Sequence, residues 1–270
     1  MEGESRLDAS GCSSVLQHVL PPTWARLVVQ LNPKPQKNSM TAALLRERIS
    51  PCRFVRCRFN FYILFILIIM ESVFTHIYEN NVWGNNNSTE YNGSSGGGSE
   101  INFNRDTYIP FLKKFITDNN IKTIVDLGCG DFRCGKLIYD DLNILYNGYD
   151  AYKKIIDYNS KQYLFSKYSF THLDFCKNKE SILTGELCIL KDVIQHWSLE
   201  NINTFLDYLI EYKKFKFILI CNCCDQVQDN TDISNGGSRP LSCEYFPLKK
   251  YNPIKLFNYH TKEVSVIEIK

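Results

Sequence analysis

The chain has 270 residues, a net charge of +2 and eleven cysteines. Such a small charge, without a basic stripe interleaved with aromatic residues, gives no signal for a nucleic-acid partner. An odd number of cysteines without regular spacing indicates reduced thiols inside the cell, so we predict a cytoplasmic protein. Cys221-Asn222-Cys223-Cys224 has no second cluster to complete four ligands, so we predict no metal site.

The composition changes sharply near Met70. Residues 1–69 contain seven arginines and two lysines, whereas residues 70–270 contain three arginines and 19 lysines. We therefore predict that 1–69 is an added or poorly ordered N-terminal extension and that Met70 is the effective start of the folded protein. The remaining part, about 200 residues, is long enough for one domain with a real core.

The extension ends in an unbroken apolar run over 61–70, which three arginines between 53 and 58 precede. A membrane-spanning helix needs roughly 20 apolar residues, and Asn60 and Glu71 bracket this run well short of that. The preceding arginines nevertheless fit the positive-inside pattern of a signal anchor. We favour a buried or incidental segment and keep membrane anchoring through 54–74 as the alternative.

Residues 70–100 hold Trp83-Gly84 and a string rich in glycine and serine over 91–99. One interpretation is a flexible linker. The other is a lid, in which glycines act as hinges, Trp83 covers apolar parts of a ligand and hydroxyl groups bind its polar ends.

A helix is predicted after Asp106, which can cap it, with Pro110 tolerated in the first turn. Its apolar positions recur at helical spacing. They are Tyr108, Phe111, Leu112, Phe115 and Ile116.

The apolar stretch 121–125 runs directly into Asp126-Leu127-Gly128-Cys129-Gly130-Asp131. This pattern predicts a strand that breaks into a tight turn, where glycine tolerates φ > 0 and exposes bare backbone to a ligand. A helix over 132–139 follows, and its N-terminal amides face the turn. Arg133 stands where a dinucleotide-binding G-x-G-x-x-G turn has its third glycine, which disfavours a nucleotide-dependent oxidoreductase.

Three further apolar runs end in an acidic residue. They are 142–149 followed by Asp150, 168–175 containing Asp174, and 187–190 followed by Lys191 and Asp192. Asp150 lies 24 positions after Asp126, close to the spacing of about 20 residues that separates a glycine turn from a ribose-binding carboxylate. Each acid alone can be a solvated turn residue, but four in order predict one shared edge of a sheet.

The rest of the chain continues the alternation of strand and helix. Ser198 can cap a helix with apolar positions Ile202, Phe205, Leu206, Leu209 and Ile210. A buried strand over 215–221 follows, and the β-like runs 254–259 and 264–269, separated by 260–263, predict a terminal hairpin. Strand-helix alternation requires a sheet covered on both faces, with ligands beyond the carboxyl ends of its strands.

The string Asp126 to Gly130 resembles the D-x-G-x-G motif of class I S-adenosylmethionine-dependent methyltransferases, and 192–198 resembles their segment after the fourth strand. Trp83-Gly84 with 91–99 resembles the W-G…S-x-S-G-x-G-S leader of one bacterial and viral group, although Gly93 replaces the first serine. The segment 236–241 resembles the same group's G-G-x-R-P-L. The resemblance implies a Rossmann-like α/β fold: a mostly parallel seven-stranded sheet, helices on both faces and a C-terminal antiparallel hairpin. It assigns 70–100 to a leader or lid and 101–270 to the cofactor-binding domain.

The resemblance also implies roles for individual residues. Asp150 would hold the ribose hydroxyls of S-adenosyl-L-methionine, Asp174 the adenine edge, and the backbone of Gly128 and Gly130 the methionine part, while Asp126 orders the turn. The remaining predicted cofactor contacts are Cys129, Trp83, Gly84, Ser99 and Arg239, the last through a carboxylate or phosphate of cofactor or substrate.

His196 is the candidate base, because imidazole titrates near neutrality, and Asp192 would orient that ring or bind the acceptor. A histidine that only ties down the loop is the open alternative. The predicted function is methyl transfer to an oxygen or nitrogen atom, of a small molecule rather than a macromolecule. The alternatives are a non-catalytic methyltransferase-like binding protein and, least favoured, the oxidoreductase.

Overall fold

The computed structural model describes residues 70–270. Helix α1 occupies 70–79, and an irregular segment leads from it to a 3-10 turn at Gly97–Ser99. The other helices are α2 (Ile101–Asn104), α3 (Tyr108–Asp118), α4 (Gly135–Tyr139), α5 (Lys153–Gln162) and α6 (Leu199–Glu211). The strands are β1 (Thr123–Leu127), β2 (Leu145–Asp150), β3 (Tyr168–His172), β4 (Leu187–Lys191), β5 (Phe217–Cys223), β6 (Ile254–Tyr259) and β7 (Lys262–Glu268).

The seven strands form one sheet in the order β3-β2-β1-β4-β5-β7-β6. β1 to β5 are parallel, and β7 is antiparallel to both β5 and β6. The prediction of a Rossmann-like, mostly parallel seven-stranded sheet with a terminal antiparallel hairpin is confirmed. The order of the parallel strands reverses between β1 and β4, which is where such sheets bind ligands.

Helices cover both faces of the sheet. On one face α3 and α4 bury an apolar stripe that includes Leu112 and Ile138 against Ile124, Ile189 and Leu219. On the other, α6 packs its own stripe against the alternate residues of the same strands. That second stripe consists of Ile202, Phe205, Leu206 and Leu209. The β-branched strand residues alternate between the two faces, as burial on both sides of a parallel sheet requires.

Helix α6 begins as its sequence predicts, because the Ser198 side chain accepts a hydrogen bond from the backbone N–H of Asn201 at 3.3 Å. The predicted cap of α3 is wrong. Its N-cap residue is Thr107, and no side chain caps it. Arg105 is still helical (φ −56°, ψ −48°) and the chain keeps turning through 105–107, whereas a capping residue needs an extended backbone.

Two other boundaries differ from their predictions. Phe132 does not start α4 but adopts φ 55°, which turns its ring into the core against Tyr146 and Tyr168, and the helix begins at Gly135. The terminal hairpin turns over His260 and Thr261 alone, so Lys262 and Glu263 belong to β7 instead of the turn.

The predictions for 1–69 lie outside the described residues. Of the apolar run 61–70, only Met70 is described, and it is buried on α1 in the core. Within 70–270, no helix combines the length and the apolar character that crossing a bilayer requires.

Candidate active site

A cleft of about 1110 Å³, its open mouth included, lies at the carboxyl ends of the central strands, bounded by α1 and the segment after it. Ten of the predicted site residues line it: Trp83, Ser99, Asp126, Gly128, Cys129, Gly130, Asp150, Asp174, Asp192 and His196. Gly84 and Arg239 do not belong to its lining. Gly84 instead occupies an exposed turn with φ 114°.

The turn after β1 needs its two glycines. Gly128 and Gly130 have φ values of 85° and 53°, and the N–H of Gly128 donates to the Tyr149 carbonyl oxygen at 2.8 Å. A Cβ at Gly128 would collide with the Val193 side chain, and one at Gly130 with the Ser95 hydroxyl. The turn therefore presents backbone without side chains to the cleft.

Asp150 ends β2 and locks the glycine turn to that strand. Its Oδ2 accepts a hydrogen bond from the Gly130 N–H at 3.1 Å, and its Oδ1 accepts one from the Tyr152 N–H at 2.9 Å. Burial raises the pKa of Asp150 to about 6, and these two N–H groups offset the rise only in part. Each carboxylate oxygen can still accept a further hydrogen bond from a ligand.

Asp126 lies within β1, and its Oδ2 accepts a hydrogen bond from the Tyr146 hydroxyl at 2.8 Å. Burial raises the pKa of Asp126 to about 6, against the opposing effects of that bond and of the Lys191 charge. Asp126 is thus held by β2, next to the turn that it was predicted to order.

Asp174 follows β3 and keeps one oxygen for a ligand. Its Oδ1 accepts a hydrogen bond from the Lys177 N–H at 3.2 Å. Its Oδ2 is buried and has no hydrogen-bond partner among residues 70–270. Burial raises the pKa of this carboxyl group. The Lys177 N–H opposes the shift, as does the Glu71 N–H at the start of α1, which lies near the carboxylate without forming a hydrogen bond of ordinary geometry. Met70, Phe74 and Phe175 line the cleft with it.

Asp192 is the centre of a largely buried ionic cluster at the end of β4. It has φ 59°, pairs with Lys191 Nζ at 3.1 Å and pairs more closely with Lys262 Nζ, which also contacts Cys223 Sγ at 3.0 Å. Burial alone would raise the pKa of Asp192, but the charges of Lys191 and Lys262 outweigh burial and hold it at about 2. Asp192 therefore stays ionised. No hydrogen bond between Asp192 and the His196 ring occurs in this part of the chain.

His196 has protein partners at both ring nitrogens. Nδ1 lies 2.7 Å from the Gly237 carbonyl oxygen, so it must carry the proton and donate it. Nε2 lies 3.2 Å from Gln195 Nε2 and can only accept from that amide. Burial lowers the pKa of His196, opposed in part by the bond to Gly237, so the ring is neutral near pH 7. In this conformation, it joins the end of β4 to the loop at 237.

Helix α1 and the segment between it and the 3-10 turn cover the glycine turn. Tyr78 stacks on Tyr152 with ring centroids 4.5 Å apart, and its hydroxyl lies 3.1 Å from Ser95 Oγ. That Oγ accepts a hydrogen bond from the Asp131 N–H at 2.9 Å. Trp83 packs on the His196 ring, with ring centroids 4.8 Å apart. The buried indole N–H of Trp83 has no acceptor among the described residues. Trp83 therefore offers a free donor to a ligand.

Sequence reasoning missed Lys191 and Lys262, which fix the charge of Asp192. Lys191 lies beside a recognised motif, but nothing in its neighbourhood distinguishes it from a solvated lysine. Lys262 was assigned to a turn, and it reaches Asp192 across 70 positions of sequence. The Tyr78 and Ser95 contacts with the body of the domain were missed too, although the leader containing them was singled out.

No model of a protein family and no curated protein sequence matches the chain. Solved methyltransferase structures are similar to it at low identity. The methyltransferase domain of the bacterial protein CtHen1-CN is 14% identical over 63% of this chain and 100% of its own, with a TM-score of 0.49. Human N-acetylserotonin methyltransferase in complex with S-adenosylmethionine is 14% identical over 62% of this chain and 58% of its own, with a TM-score of 0.43. PigF with S-adenosylhomocysteine is 14% identical over 63% of this chain and 61% of its own, with a TM-score of 0.46. These neighbours carry no argument about this chain's substrate.

Proposed function

We propose that this protein is an S-adenosylmethionine-dependent methyltransferase that acts on an oxygen or nitrogen atom of a small molecule. The observation that carries the proposal is the alignment of three features along one cleft. They are the bare glycine turn after β1, the Asp150 carboxylate after β2 and the partly unpartnered Asp174 carboxylate after β3.

The residues fit this cofactor. The Asp174 Oδ2 atom is a buried acceptor without a donor in 70–270, and the amino group of adenine is a donor that would satisfy it. Asp150 has acceptor capacity left for two ribose hydroxyls. The glycine turn can place backbone against the methionine part, because Gly128 and Gly130 line the cleft without side chains.

The bound cofactor would supply a methyl group already activated by its sulfonium, so the protein has to align the acceptor and exclude water. Asp192 is suited to alignment. It is ionised and lines the cleft, where its oxygens accept from a hydroxyl or amine of the acceptor. With a pKa of about 2, it is too weak a base to keep the proton, which leaves to bulk solvent with the methylated product.

His196 is better placed to hold the loop at Gly237 in position than to remove a proton from the acceptor, since both of its ring nitrogens already have protein partners. Its predicted role as a base requires that the bond between Nε2 and Gln195 opens on acceptor binding. Trp83, packed on the imidazole ring, would shield the reacting atoms from water.

A small acceptor is favoured because α1 and the segment after it cover the cleft. We further propose that 70–100 acts as the lid of a domain formed by 101–270. No disulfide joins cysteines within residues 70–270, which supports a reducing, cytoplasmic setting.

The first experiment is calorimetric titration of the full chain with S-adenosylhomocysteine and, in parallel, with NAD. We expect micromolar binding of the former and none of the latter. Tight NAD binding with no S-adenosylhomocysteine binding would refute the proposal.

The second experiment incubates the protein and labelled S-adenosylmethionine with fractionated metabolite extract. Transfer of label to a small molecule supports the enzyme. Cofactor binding with no transfer to any metabolite or protein fraction would favour the non-catalytic binding protein.

A further inference from the structure

Arg239 carries a buried charge that the protein leaves without hydrogen bonds. Its side chain is 5% exposed, and Nε, Nη1 and Nη2 all lack a hydrogen-bond partner among residues 70–270. The closest carboxylate belongs to Asp232, whose Oδ1 lies 3.8 Å from Nη1, beyond hydrogen-bond reach. Guanidinium stays protonated even when buried, so this is a full positive charge with five unused N–H groups.

Asp232 does not neutralise this charge well. Its side chain is 59% exposed, and the same Oδ1 already accepts from the backbone N–H groups of Leu199 and Ile233, both at 2.8 Å. An exposed and distant ion pair contributes little to stability, whereas a buried charge without good partners is strongly destabilising. The Arg239 guanidinium therefore lacks a close anionic partner, and a ligand could supply one.

The loop of Arg239 lies outside the cleft lining but is bonded to the segment that carries His196, which lines the cleft. The Arg239 N–H donates to the Gln195 carbonyl oxygen at 3.1 Å, and the Gly236 N–H donates to the His196 carbonyl oxygen at 2.8 Å. Gly237 accepts the proton of the His196 ring. The guanidinium thus lies on the loop that braces His196, at the β4 and β5 ends of the sheet, and not at the β2 and β3 ends where Asp150 and Asp174 lie.

Two other buried polar side chains on the same face of the sheet also lack partners in the described part of the chain. They are the indole N–H of Trp197 and the amide of Asn222, each 1% exposed. Trp197 packs in the cluster that contains Leu241, two residues after Arg239, and Leu241 is bonded to Cys223, next to Asn222. Unused donors therefore collect in this region.

We propose that Arg239 binds an anionic group, a carboxylate or a phosphate, of the methyl acceptor, so that the substrates of this enzyme are small anionic metabolites. A guanidinium presents two parallel N–H groups that match either anion. The inference rests on the proposed methyltransferase function. Gly236 of the same loop packs against Val73 and Ile77 of α1.

The test is titration of the full chain with inorganic phosphate, acetate and chloride at constant ionic strength. Binding is monitored through the Nε–H signal of Arg239 in ¹H–¹⁵N spectra. Arg239→Gln and Arg239→Lys are compared with Arg105→Gln, which removes an equal charge from an exposed position. We expect saturable millimolar binding of phosphate or acetate to the wild type and to Arg105→Gln. We expect Arg239→Gln to bind the anion at least tenfold more weakly and Arg239→Lys to have an intermediate affinity. The anion that binds more tightly, phosphate or acetate, indicates which anionic group of the acceptor Arg239 binds.

Absence of saturable binding by the wild type, or equal binding by Arg239→Gln, would overturn the inference. Stability gives an independent readout. In buffer free of phosphate and carboxylate, Arg239→Met should leave the unfolding midpoint unchanged or raise it, because an unpaired charge is removed. A fall in the midpoint that Asp232→Asn reproduces would make Arg239 a structural partner of Asp232 and contradict the proposal.

Titration of each variant with S-adenosylhomocysteine separates this inference from the proposed function. If the wild type does not bind S-adenosylhomocysteine, the methyltransferase proposal fails whatever the anions do. If it binds and Arg239→Gln binds equally well, the anion result alone decides about Arg239. If Arg239→Gln loses S-adenosylhomocysteine affinity as strongly as anion affinity, Arg239 contacts the cofactor and the acceptor inference is wrong.

Discussion

The two sides of the cleft stabilise their carboxylates in different ways. On the side of β1, β2 and β3, the carboxylates are held by backbone N–H groups or a hydroxyl, as Asp150 is by Gly130 and Tyr152. On the side of β4, β5 and β7, charged side chains hold one another, as Asp192 is held by Lys191 and Lys262.

This difference decides which groups can change charge. The backbone N–H groups at Asp150, and the Tyr146 hydroxyl with the Lys191 charge at Asp126, do not fully compensate for burial, so the pKa of each carboxyl group rises to about 6. Two ammonium groups more than compensate for it, so the pKa of Asp192 falls to about 2. The proposed cofactor side is therefore sensitive to mild acid, and the proposed acceptor side keeps its charge.

The largest effect is expected from breaking the ionic cluster. Asp192→Asn leaves two buried ammonium groups facing a neutral amide, and removal of one partner of a buried pair typically costs about 3–5 kcal/mol of unfolding free energy. Urea unfolding at pH 7 measures it. Asp207→Asn is the control, because its pair with Lys250 is half-exposed and should contribute under about 1 kcal/mol. Equal losses in both variants would remove the distinction between the two sides.

The next largest effect comes from the glycine turn. Gly128→Ala forces an L-residue to φ 85° and places its Cβ on the Val193 side chain. The left-handed backbone costs about 1–2 kcal/mol and the overlap about 1–3 kcal/mol, so we expect a loss of about 2–4 kcal/mol in unfolding free energy. Gly97→Ala is the matched control, since a Cβ there meets no atom within 4 Å. If Gly128→Ala is as stable as Gly97→Ala, the turn does not need glycine.

Asp150→Ala tests the cofactor side directly. Loss of a charged hydrogen-bond partner typically costs about 1–3 kcal/mol, so the dissociation constant of S-adenosylhomocysteine should rise by about 5- to 150-fold in calorimetry. Asp157→Ala, an exposed residue of α5 paired with Lys153, should not change it. Unchanged affinity in Asp150→Ala would remove the ribose assignment.

The same contrast explains what could be predicted from the sequence. The cofactor side is built from short-range features, in which an acid or glycine follows an apolar run, and each run becomes a parallel strand of the sheet. Register then brings Asp126, Asp150 and Asp174 to one edge without further information. The order of elements and the terminal hairpin follow from the same alternation.

The acceptor side depends on contacts that no local pattern encodes. Lys262 is predicted in the turn between two β-like runs, yet it starts β7 and is 5% exposed. His196 reaches Gly237 across 41 positions, so its occupied nitrogens could not be read from the string around it. The cap of α3 failed for a related reason, because the turn before it fixes the backbone of Asp106.

A smaller effect is expected from pH. The free protein binds protons on Asp150 and Asp126 up to about pH 6, whereas unfolded aspartates titrate near 4, so these groups make unfolding easier as pH rises from about 4 to 6. Cofactor affinity should change in the opposite direction, since ionised Asp150 is the better acceptor for ribose hydroxyls. Between pH 7.5 and 5, the dissociation constant of S-adenosylhomocysteine should rise up to about tenfold. The dependence should be weaker in Asp150→Asn and retained in part through Asp126; an unaltered profile in that variant would contradict it.

The smallest effect is expected at His196, and it decides whether the acceptor side contains a base at all. Asn in place of His196 keeps a side-chain N–H close to the position of Nδ1, so the bond to Gly237 and the loop can persist while the basic nitrogen is lost. If the imidazole only positions the loop, His196→Asn should lower kcat less than about tenfold on the acceptor found with labelled cofactor, with the same pH profile from 6 to 9. General-base catalysis is typically worth 10²–10⁴-fold, so a loss of that size together with a missing acidic limb would make His196 the base. His196→Ala separates the two roles further, because removing the bond to Gly237 as well should weaken acceptor binding without changing S-adenosylhomocysteine affinity.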